Sequence, residues 1–507
     1  MKTIPVVDIF AGAGGLGEGF AAFQPRRKTD PTFQVKVSAE MDAHAVKTLR
    51  TRAFFRQFPP GHAPASYYDY AAGEVPQPWT SDTETQWAAA CDEALQLRLG
   101  DPADDAVLHT RIRKIAAQAR KDGSPWVLVG GPPCQAFSLI GRARNRGKKG
   151  YVPEEDERHF LYRHYLTILS RFRPTVFVLE NVKGMLSSRL GGQSVFNDMF
   201  EQLQRPGGRY GPRYRIQPVV RQDGHTGDWE PRDFVVHAET LGLPQARHRV
   251  ILLGILEDDA PSIRPLRPMP ERYSVSDVIG GLPAIRSAPT DRDVRSWPHF
   301  SQRLLRRCAS YTRSLDRSVS QHLHELADQA GSGDELDTGD RWISADLTCR
   351  IPAHLNDFIR DRRLKGVLNH QARPHMSSDL MRYGFAAAFT AVNGRSPRGC
   401  DEFPGELHPL HRSWFENNRF VDRFKVQRSD APSSTITSHL AKDGHYYIHP
   451  DPLQLRCLTV REAARLQTFP DNYIFEGPPV SQRRQVGNAV PPWLGHQIAG
   501  LVHEALT

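Results

Sequence analysis

One cysteine of this chain is placed for covalent chemistry. In VLVGGPPCQAFSLIGR, Cys134 follows a short apolar run and the dipeptide Pro132-Pro133, which restricts the backbone. Open α/β sheets present reactive groups at the carboxyl ends of their strands. A lone cysteine more often packs in a core, but Cys134 lies outside any apolar period. We therefore interpret it as a nucleophile.

Two further segments carry polar side chains at the ends of apolar runs. TVFVLENVKGM delivers Glu180 and Asn181, where a carboxylate can either serve a site or accept hydrogen bonds from backbone amides near a helix start. LGLPQARHRVILLGI carries Gln245, Arg247 and Arg249 at period two into another apolar run. These three could form a surface ion-pair ladder, but no acidic residue stands among them, which favours a role in a site.

A glycine-rich loop indicates a ligand. DIFAGAGGLGEGF places Gly12, Gly14 and Gly17 in a GxGxxG pattern after a strand, where glycine permits a tight turn and close approach to a helix N-terminus. Glu40 ends the next predicted strand, where its carboxylate can accept hydrogen bonds from ribose hydroxyls. The pattern fits adenosine-containing ligands in general, including the nicotinamide cofactor of a dehydrogenase. It also fits a purely structural strand-to-helix turn.

These groups need a sheet to position them. Helix-length segments separate most of a series of β-branched runs, and this alternation predicts an α/β fold with a doubly wound, largely parallel sheet. The runs are IPVVDIF, QVKVSAE, PWVLVGG, TVFVLEN, DFVVHAE and RVILLGI.

The chain is long enough for two folding units, since 507 residues exceed what one core usually organises. We predict a sheet domain over 1–257, with 71–123 as an insertion on its rim because that segment shows two helix-like stretches and no obvious chemistry. The proline- and arginine-rich texture after Ile255 marks a second domain over 258–448. Residues 449–507 are predicted to return to the first domain, because their apolar residues are spaced for a helix packed on a sheet.

Composition restricts the class of protein. The chain has 66 Lys and Arg against 57 Asp and Glu, a net charge of +9, which favours a polyanionic partner without identifying it. No apolar run approaches the roughly 20 residues that span a bilayer, and MKTIPVVDIF resembles a first strand more than a signal peptide, so we expect a cytoplasmic protein. The six cysteines form no CxxC pair, which argues against a zinc site and a disulfide framework.

Together these segments resemble the DNA (cytosine-5)-methyltransferase family, and they occur in the family's order. The resemblance covers about residues 3–257 and 415–507. Besides the glycine loop, its motifs are PPCQAFS at 132–138, DERHFL at 156–161, ENV at 180–182, QARHR at 245–249, RSDAPSSTIT at 428–437 and QVGNAVPP at 485–492.

The resemblance implies a Rossmann-like catalytic domain that binds S-adenosylmethionine, with an inserted target recognition domain at 258–448. Cys134 would attack carbon 6 of a cytosine flipped out of the duplex, while Glu180 binds the N3 and amino edge and Arg249 binds O2. Gln245 and Arg247 belong to the same catalytic motif. Carbon 5 would then take the methyl group, without a metal.

The resemblance also assigns the binding residues. Glu40 would bind the ribose and Asp69 the adenine of the methyl donor, and the basic loop after Cys134 would close on DNA as a lid. The implied cofactor-binding residues are Phe10, Gly12, Gly14, Gly15, Leu16, Glu40, Met41, Asp69, Pro132, Leu161, Asn488, Ala489 and Val490. The implied DNA contacts are Ser138, Arg142, Arg144 and Arg158.

The implied partner is double-stranded DNA, bound by a monomer in the nucleoid-associated cytoplasm, with a restriction endonuclease or phage-defence proteins encoded separately. Three alternatives stand beside this hypothesis. A hydride-transferring dehydrogenase does not account for PPCQ, ENV and QxRxR in order. An RNA (tRNA) cytosine-5 methyltransferase would share these motifs, and the large basic middle domain favours DNA over it. A non-catalytic DNA-binding homologue would not need intact Cys134, Glu180 and Arg249.

Overall fold

A computed structural model describes most of the chain. The described residues are 3–25, 27, 30, 32–132, 161–190, 193–220, 229–257, 263–345, 347, 351–410, 414–415 and 421–507. Within them the strands are β1 (Thr3–Ile9), β2 (Thr32–Glu40), β3 (Ala94–Gln96), β4 (Val127–Gly130), β5 (Val176–Val182), β6 (Arg189–Leu190), β7 (Gln193–Ser194), β8 (Tyr214–Gln217), β9 (Val235–His237), β10 (Gln245–Ala246), β11 (His248–Leu256), β12 (Gly339–Ser344), β13 (Gly366–Gln371) and β14 (Ser433–Ser434).

The α-helices are distributed over the whole described chain. They are α1 (Gly15–Ala22), α2 (Ala43–Arg56), α3 (Ala65–Ala72), α4 (Glu84–Glu93), α5 (Pro102–Asp122), α6 (Leu161–Phe172), α7 (Val195–Gln204), α8 (Val275–Ile279), α9 (Trp297–Thr312), α10 (Arg317–Gly331), α11 (Ala353–Ile359), α12 (Ser377–Asn393), α13 (Val460–Leu466), α14 (Pro479–Asn488) and α15 (Pro492–Leu506). In the described parts of the chain, no helix is both long and apolar enough to cross a membrane.

One eight-stranded sheet organises the first half of the chain. Its order is β3-β2-β1-β4-β5-β11-β8, and β9 also pairs with β11. The strands from β3 to β5 are parallel, whereas β11 runs antiparallel to β5, β8 and β9. The predicted doubly wound, largely parallel α/β fold is therefore confirmed.

The sheet is covered on both faces because successive side chains of its strands point to opposite sides. Val7 and Ile9 of β1 pack with α5, α6 and α7 in one core. Ile4 and Val6 pack with α1 and α15 in the other. The C-terminal helix α15 thus lies on the sheet domain. Its close approach to α1 depends on Gly19, where an added Cβ would lie 2.4 Å from the carbonyl oxygen of Pro492.

The structure differs from the insertion predicted at 71–123. Strand β3 is hydrogen-bonded to β2 at the edge of the sheet, and α5 buries Leu108 and Ile112 in the core. Much of this segment therefore belongs to the doubly wound fold. A strand of three residues is too short for apolar alternation to reveal it.

The middle of the chain has its own helical core, formed by α9, α10 and α12. Strands β12 and β13 form a separate antiparallel pair, which contacts α3 and α13. Helices α8 and α11, however, pack with residues from 458 to 489 in a further core. The predicted boundaries at 258 and 448 therefore do not separate two independent cores.

Candidate active site

Several strands end at one edge of the sheet, and the predicted site residues follow them. Phe10 comes directly after β1, Glu40 is the last residue of β2, and Pro132 lies two residues after β4. Glu180 lies near the end of β5. Because β11 is antiparallel to β5, it begins at the same edge, and its second residue, Arg249, lies there. The topology therefore brings segments distant in sequence together.

A partly buried ion pair lies at this edge. The Nε of Arg249 is 2.9 Å from Oε1 of Glu180, and both side chains are less than 15% exposed. Arg249 is opposite Val182 in the ladder and Glu180 is opposite Ile251, so the two charged side chains share a face. Gly131 leaves room for the carboxylate, since an added Cβ would lie 2.9 Å from Oε2 of Glu180.

Asn181 connects this pair to the segment that leads to the predicted nucleophile. Its Nδ2 donates to the carbonyl oxygen of Pro132 at 3.4 Å, and its Oδ1 accepts from the N–H of Val182 at 2.8 Å. Pro132 is thus held beside β5. Cys134 lies outside the described residues, as do the predicted DNA-binding residues Ser138, Arg142, Arg144 and Arg158.

The glycine loop forms a cradle over Glu40. Phe10, Gly12 and Gly14 all have left-handed backbone conformations, with φ of 55°, 58° and 76°, which is uncommon for a residue as bulky as phenylalanine. Oε2 of Glu40 accepts from the N–H of Gly12, and Oε1 accepts from that of Met41, each at 2.9 Å. Burial raises the pKa of Glu40, and the backbone N–H groups oppose that shift.

The late cofactor motif reaches the same loop. An added Cβ at Gly15 would lie 2.0 Å from the carbonyl oxygen of Val490, so only glycine permits this contact. Asn488 ends α14, and Ala489 and Val490 follow it. At Gly12, by contrast, an added Cβ would meet no atom within 4 Å. An open cradle with a carboxylate behind it fits an adenosine-containing ligand.

The remaining predicted cofactor residues have different surroundings. Leu16 is buried in α1, the side chain of Met41 is largely exposed beside Glu40, and Leu161 is the first residue of α6.

Asp69 does not lie at the edge of the sheet where the other predicted cofactor residues meet. It lies on α3, which packs near β12 and β13. The acidic residue that follows the third strand, β3, is Asp101, whose carboxylate caps α5 by accepting from the N–H groups of Ala103 and Asp104. The prediction did not include Asp101, because the sequence did not reveal β3. The tripeptide Gly-Asp-Pro at the start of α5 is the sequence signal for a helix-capping aspartate there.

The contacts of Gln245 and Arg247 differ from those expected of catalytic side chains beside Arg249. Both side chains are buried. Nη1 of Arg247 donates to the carbonyl oxygen of Ile436 at 2.6 Å. They therefore attach the start of β11 to the segment around Ile436, whereas Arg249 pairs with Glu180.

The contacts of Gln245 predict a loss of stability on truncation. Its Nε2 donates to the Leu466 carbonyl at 3.1 Å and to Oε1 of Gln467 at 2.9 Å, and its Oε1 accepts from the Ile436 N–H at 2.8 Å. Gln245→Ala leaves these buried groups unpaired, so we expect the free energy of unfolding in urea to fall by about 2–4 kcal/mol. The control Gln118→Ala, exposed on α5, should change it by less than about 0.5 kcal/mol. Equal losses would contradict this assignment.

The burial of Asp8 predicts that the stability of the fold depends on pH. Asp8 is buried in β1, and burial raises the pKa of its carboxyl from 3.8 to about 7, opposed by the Gly17 N–H. Since the folded pKa exceeds the unfolded one, this stabilisation is complete below about pH 4 and is lost as pH rises through about 7. The thermal midpoint should therefore fall over that range, and Asp8→Asn should flatten the profile. Parallel profiles for the two proteins would contradict it.

A cluster of possible metal ligands lies next to Arg249. Among the described residues, His237, Glu239 and His248 bring ligand atoms within 4.8 Å of one another. Both imidazoles face Oε1 of Glu239, at 3.7 Å and 2.9 Å. A hydrogen bond between His248 and this carboxylate, with His237 at a longer distance, accounts for the arrangement. The sequence did not indicate it, because the three residues come from both sides of a turn.

Comparison with known proteins places these motifs in context. Residues 103–504 match the family described as C-5 cytosine-specific DNA methylase. The chain is 30% identical to "Type II methyltransferase M.Bpa9945I" of Bacillus paralicheniformis, covering 99% of both chains. It is 26% identical to "Type II methyltransferase M.AgeI" of Thalassovita gelatinovora over all of both chains.

A solved structure agrees with the fold. It is described as a DNA modification methyltransferase encoded within a prophage of E. coli, and it matches with a TM-score of 0.51 at 19% identity over 99% of both chains. At this identity the match bears on the fold alone.

Proposed function

Because the chain belongs to the C-5 cytosine-specific DNA methylase family and is a DNA (cytosine-5-)-methyltransferase, we propose that Cys134, Glu180 and Arg249 carry its reaction. The observation that supports this most is the Glu180–Arg249 pair at the sheet edge, beside the segment that leads to Cys134. A carboxylate and a guanidinium side by side offer one acceptor and one donor group to the edge of a base.

The proposed chemistry follows from the electronics of cytosine. Carbon 5 is a poor nucleophile until a group adds to carbon 6. The Cys134 thiolate forms a bond to carbon 6, while Glu180 hydrogen-bonds the N3 and amino edge and Arg249 the O2 oxygen. Charge then accumulates at carbon 5, which takes the methyl group. A base such as water then removes the carbon 5 proton, and the C5–C6 double bond re-forms as the thiolate leaves, which completes the turnover. The base must leave the stack to reach Cys134.

We propose that the glycine loop, Glu40 and residues 488–490 hold S-adenosylmethionine, which supplies an electrophilic methyl group when bound. Glu40 has lone pairs left for ribose hydroxyls, although its oxygens already accept backbone N–H groups. Helix α1 begins directly after this loop, and no side chain caps its N-terminus. Gly15 keeps the late motif close enough to form its other wall.

The finer assignments are also proposals. We infer that the middle of the chain reads the sequence of the duplex. We also infer that the protein acts in a restriction-modification or phage-defence system with a separately encoded nuclease, because the relatives are named Type II methyltransferases. Gln245 and Arg247 act as positioning residues for Arg249. The acidic residue proposed to face the adenine is Asp101 and not Asp69, because Asp101 follows a strand of the main sheet.

Adduct trapping tests this proposal. A duplex carrying 5-fluorocytosine in the recognised sequence cannot lose its carbon 5 substituent, so the bond to Cys134 should persist. We expect a denaturation-resistant protein–DNA complex that requires S-adenosylmethionine and disappears in Cys134→Ser. A complex of equal yield in Cys134→Ser would refute the assignment of the nucleophile.

A further inference from the structure

A cavity of about 260 Å³ lies between α14 and the antiparallel strands β12 and β13. Its wall includes Arg341 from β12, Asn369 from β13 and Arg483 from α14. Phe475 and Glu476 also line it. No residue assigned above to methyl transfer or to the methyl donor is among the described residues that line it. Methyl transfer therefore does not explain this cavity.

Arg483 is the unusual residue of the wall. It is only 5% exposed, and its Nε has no hydrogen-bond partner. Within the described chain it forms no ion pair with a carboxylate. The charge of Arg373 adds to its own, and burial lowers the pKa of Arg483 to about 10. A buried guanidinium without an anion is costly, because it loses its hydration and gains nothing in exchange.

Asn369 adds a second unpaired group. Its Nδ2 donates to Oε1 of Gln482 at 3.3 Å, and the Nε2 of Gln482 donates to the Gly477 carbonyl at 2.9 Å. These bonds fix the orientation of both amides and leave Oδ1 of Asn369 buried without a donor. The backbone of Asn369 is left-handed, with φ of 54°. Two residues of the wall, Arg483 and Asn369, thus each carry one buried polar atom without a hydrogen-bond partner.

The wall also carries one carboxylate, Glu476, which offsets one of the two arginine charges and leaves a net positive charge. Oε1 of Glu476 already accepts from the hydroxyls of Thr51 and Tyr70, at 3.0 and 2.8 Å. The guanidinium of Arg341 lies 5.5 Å from the centre of the Tyr70 ring. A second cation therefore stands at the rim of the cavity, on an exposed residue that can reach toward a ligand.

We propose that this cavity binds a phosphate group that is free or terminal, the class represented by inorganic phosphate and phosphate monoesters. Its oxygens accept from Arg483 and Arg341, in charge-assisted hydrogen bonds. A free or terminal phosphate fits this volume without the second ester group that a phosphodiester would bring into it. The volume suits a small anion, since pockets for drug-sized ligands begin at about 300 Å³. The site does not depend on the proposed mechanism of methyl transfer.

Titration of the full-length protein with inorganic phosphate tests the proposal by calorimetry and thermal unfolding, against chloride at matched ionic strength. We expect saturable binding and a higher unfolding midpoint. In Arg483→Met the dissociation constant should rise at least about tenfold, because a charge-assisted hydrogen bond is lost. Arg341→Met, at an exposed position, should weaken binding by a smaller factor. The control Arg484→Met, half-exposed on the same helix, should bind as the wild type does.

Two results would overturn this site. Equal responses of wild type and Arg483→Met would show that phosphate acts elsewhere. If a saturating DNA duplex abolished phosphate binding, and Arg483→Met lowered the salt dependence of DNA affinity by about one ion, the cavity would hold a backbone phosphodiester instead. Both readouts are independent of methylation, so a failure here leaves the proposed function untouched.

Discussion

Serine in place of Cys134 is expected to lower the rate of methyl transfer by about a thousandfold or more. A hydroxyl is far less ionised than a thiol near neutral pH, so carbon 6 is not attacked and carbon 5 never becomes nucleophilic. DNA affinity should stay within a few-fold of wild type, because the change removes one sulfur atom and no charge contact. Single-turnover transfer of labelled methyl groups measures the rate, and gel retardation measures the affinity.

The matched control is Cys91→Ser, which changes a partly exposed free cysteine on α4. Cys91 is not among the residues assigned to the site, so its replacement should leave the rate unchanged. If Cys134→Ser retained more than about a tenth of the wild-type rate, the covalent route would be wrong for this chain.

Glu180→Gln is expected to lower the single-turnover rate by about a hundredfold to a thousandfold. The amide keeps the size of the side chain, but it has no carboxylic acid proton to give to N3, where negative charge develops when the thiolate adds to carbon 6. It also leaves Arg249, now 2.9 Å from the carboxylate, without its ion-pair partner. We expect the rate to fall much more than DNA affinity, because the lost interaction is strongest in the transition state.

A merely structural role for Glu180 makes a different prediction. If the pair with Arg249 only held β5 to β11, Glu180→Gln and Arg249→Met would lower the unfolding midpoint and would leave the rate of the folded enzyme near normal. The assignment requires the opposite pattern, with a small change in midpoint and a large change in rate.

Most of the sheet could be predicted because long apolar runs such as TVFVLEN leave a periodic signal. The positions of Glu180 and Arg249 followed from the ends of those runs. Their direct contact did not, because it depends on β11 being antiparallel to β5, which no local pattern encodes.

The errors have physical causes of a similar kind. Strand β3 is short enough that its pairing with β2 decides its structure, so 71–123 was interpreted as an insertion and Asp101 was not considered. Gln245 and Arg247 share the period of Arg249, but a break between β10 and β11 separates them from it. Polar side chains at strand ends can therefore join segments as readily as they serve a reaction.

The most direct test of the account is methyl transfer from tritiated S-adenosylmethionine to unmethylated duplex DNA, with tRNA in parallel and the product mapped by bisulfite sequencing. We predict label on DNA, confined to cytosines within one recurring sequence. Label on tRNA alone, or on neither nucleic acid, would contradict the conclusion that this chain methylates carbon 5 of cytosine in DNA.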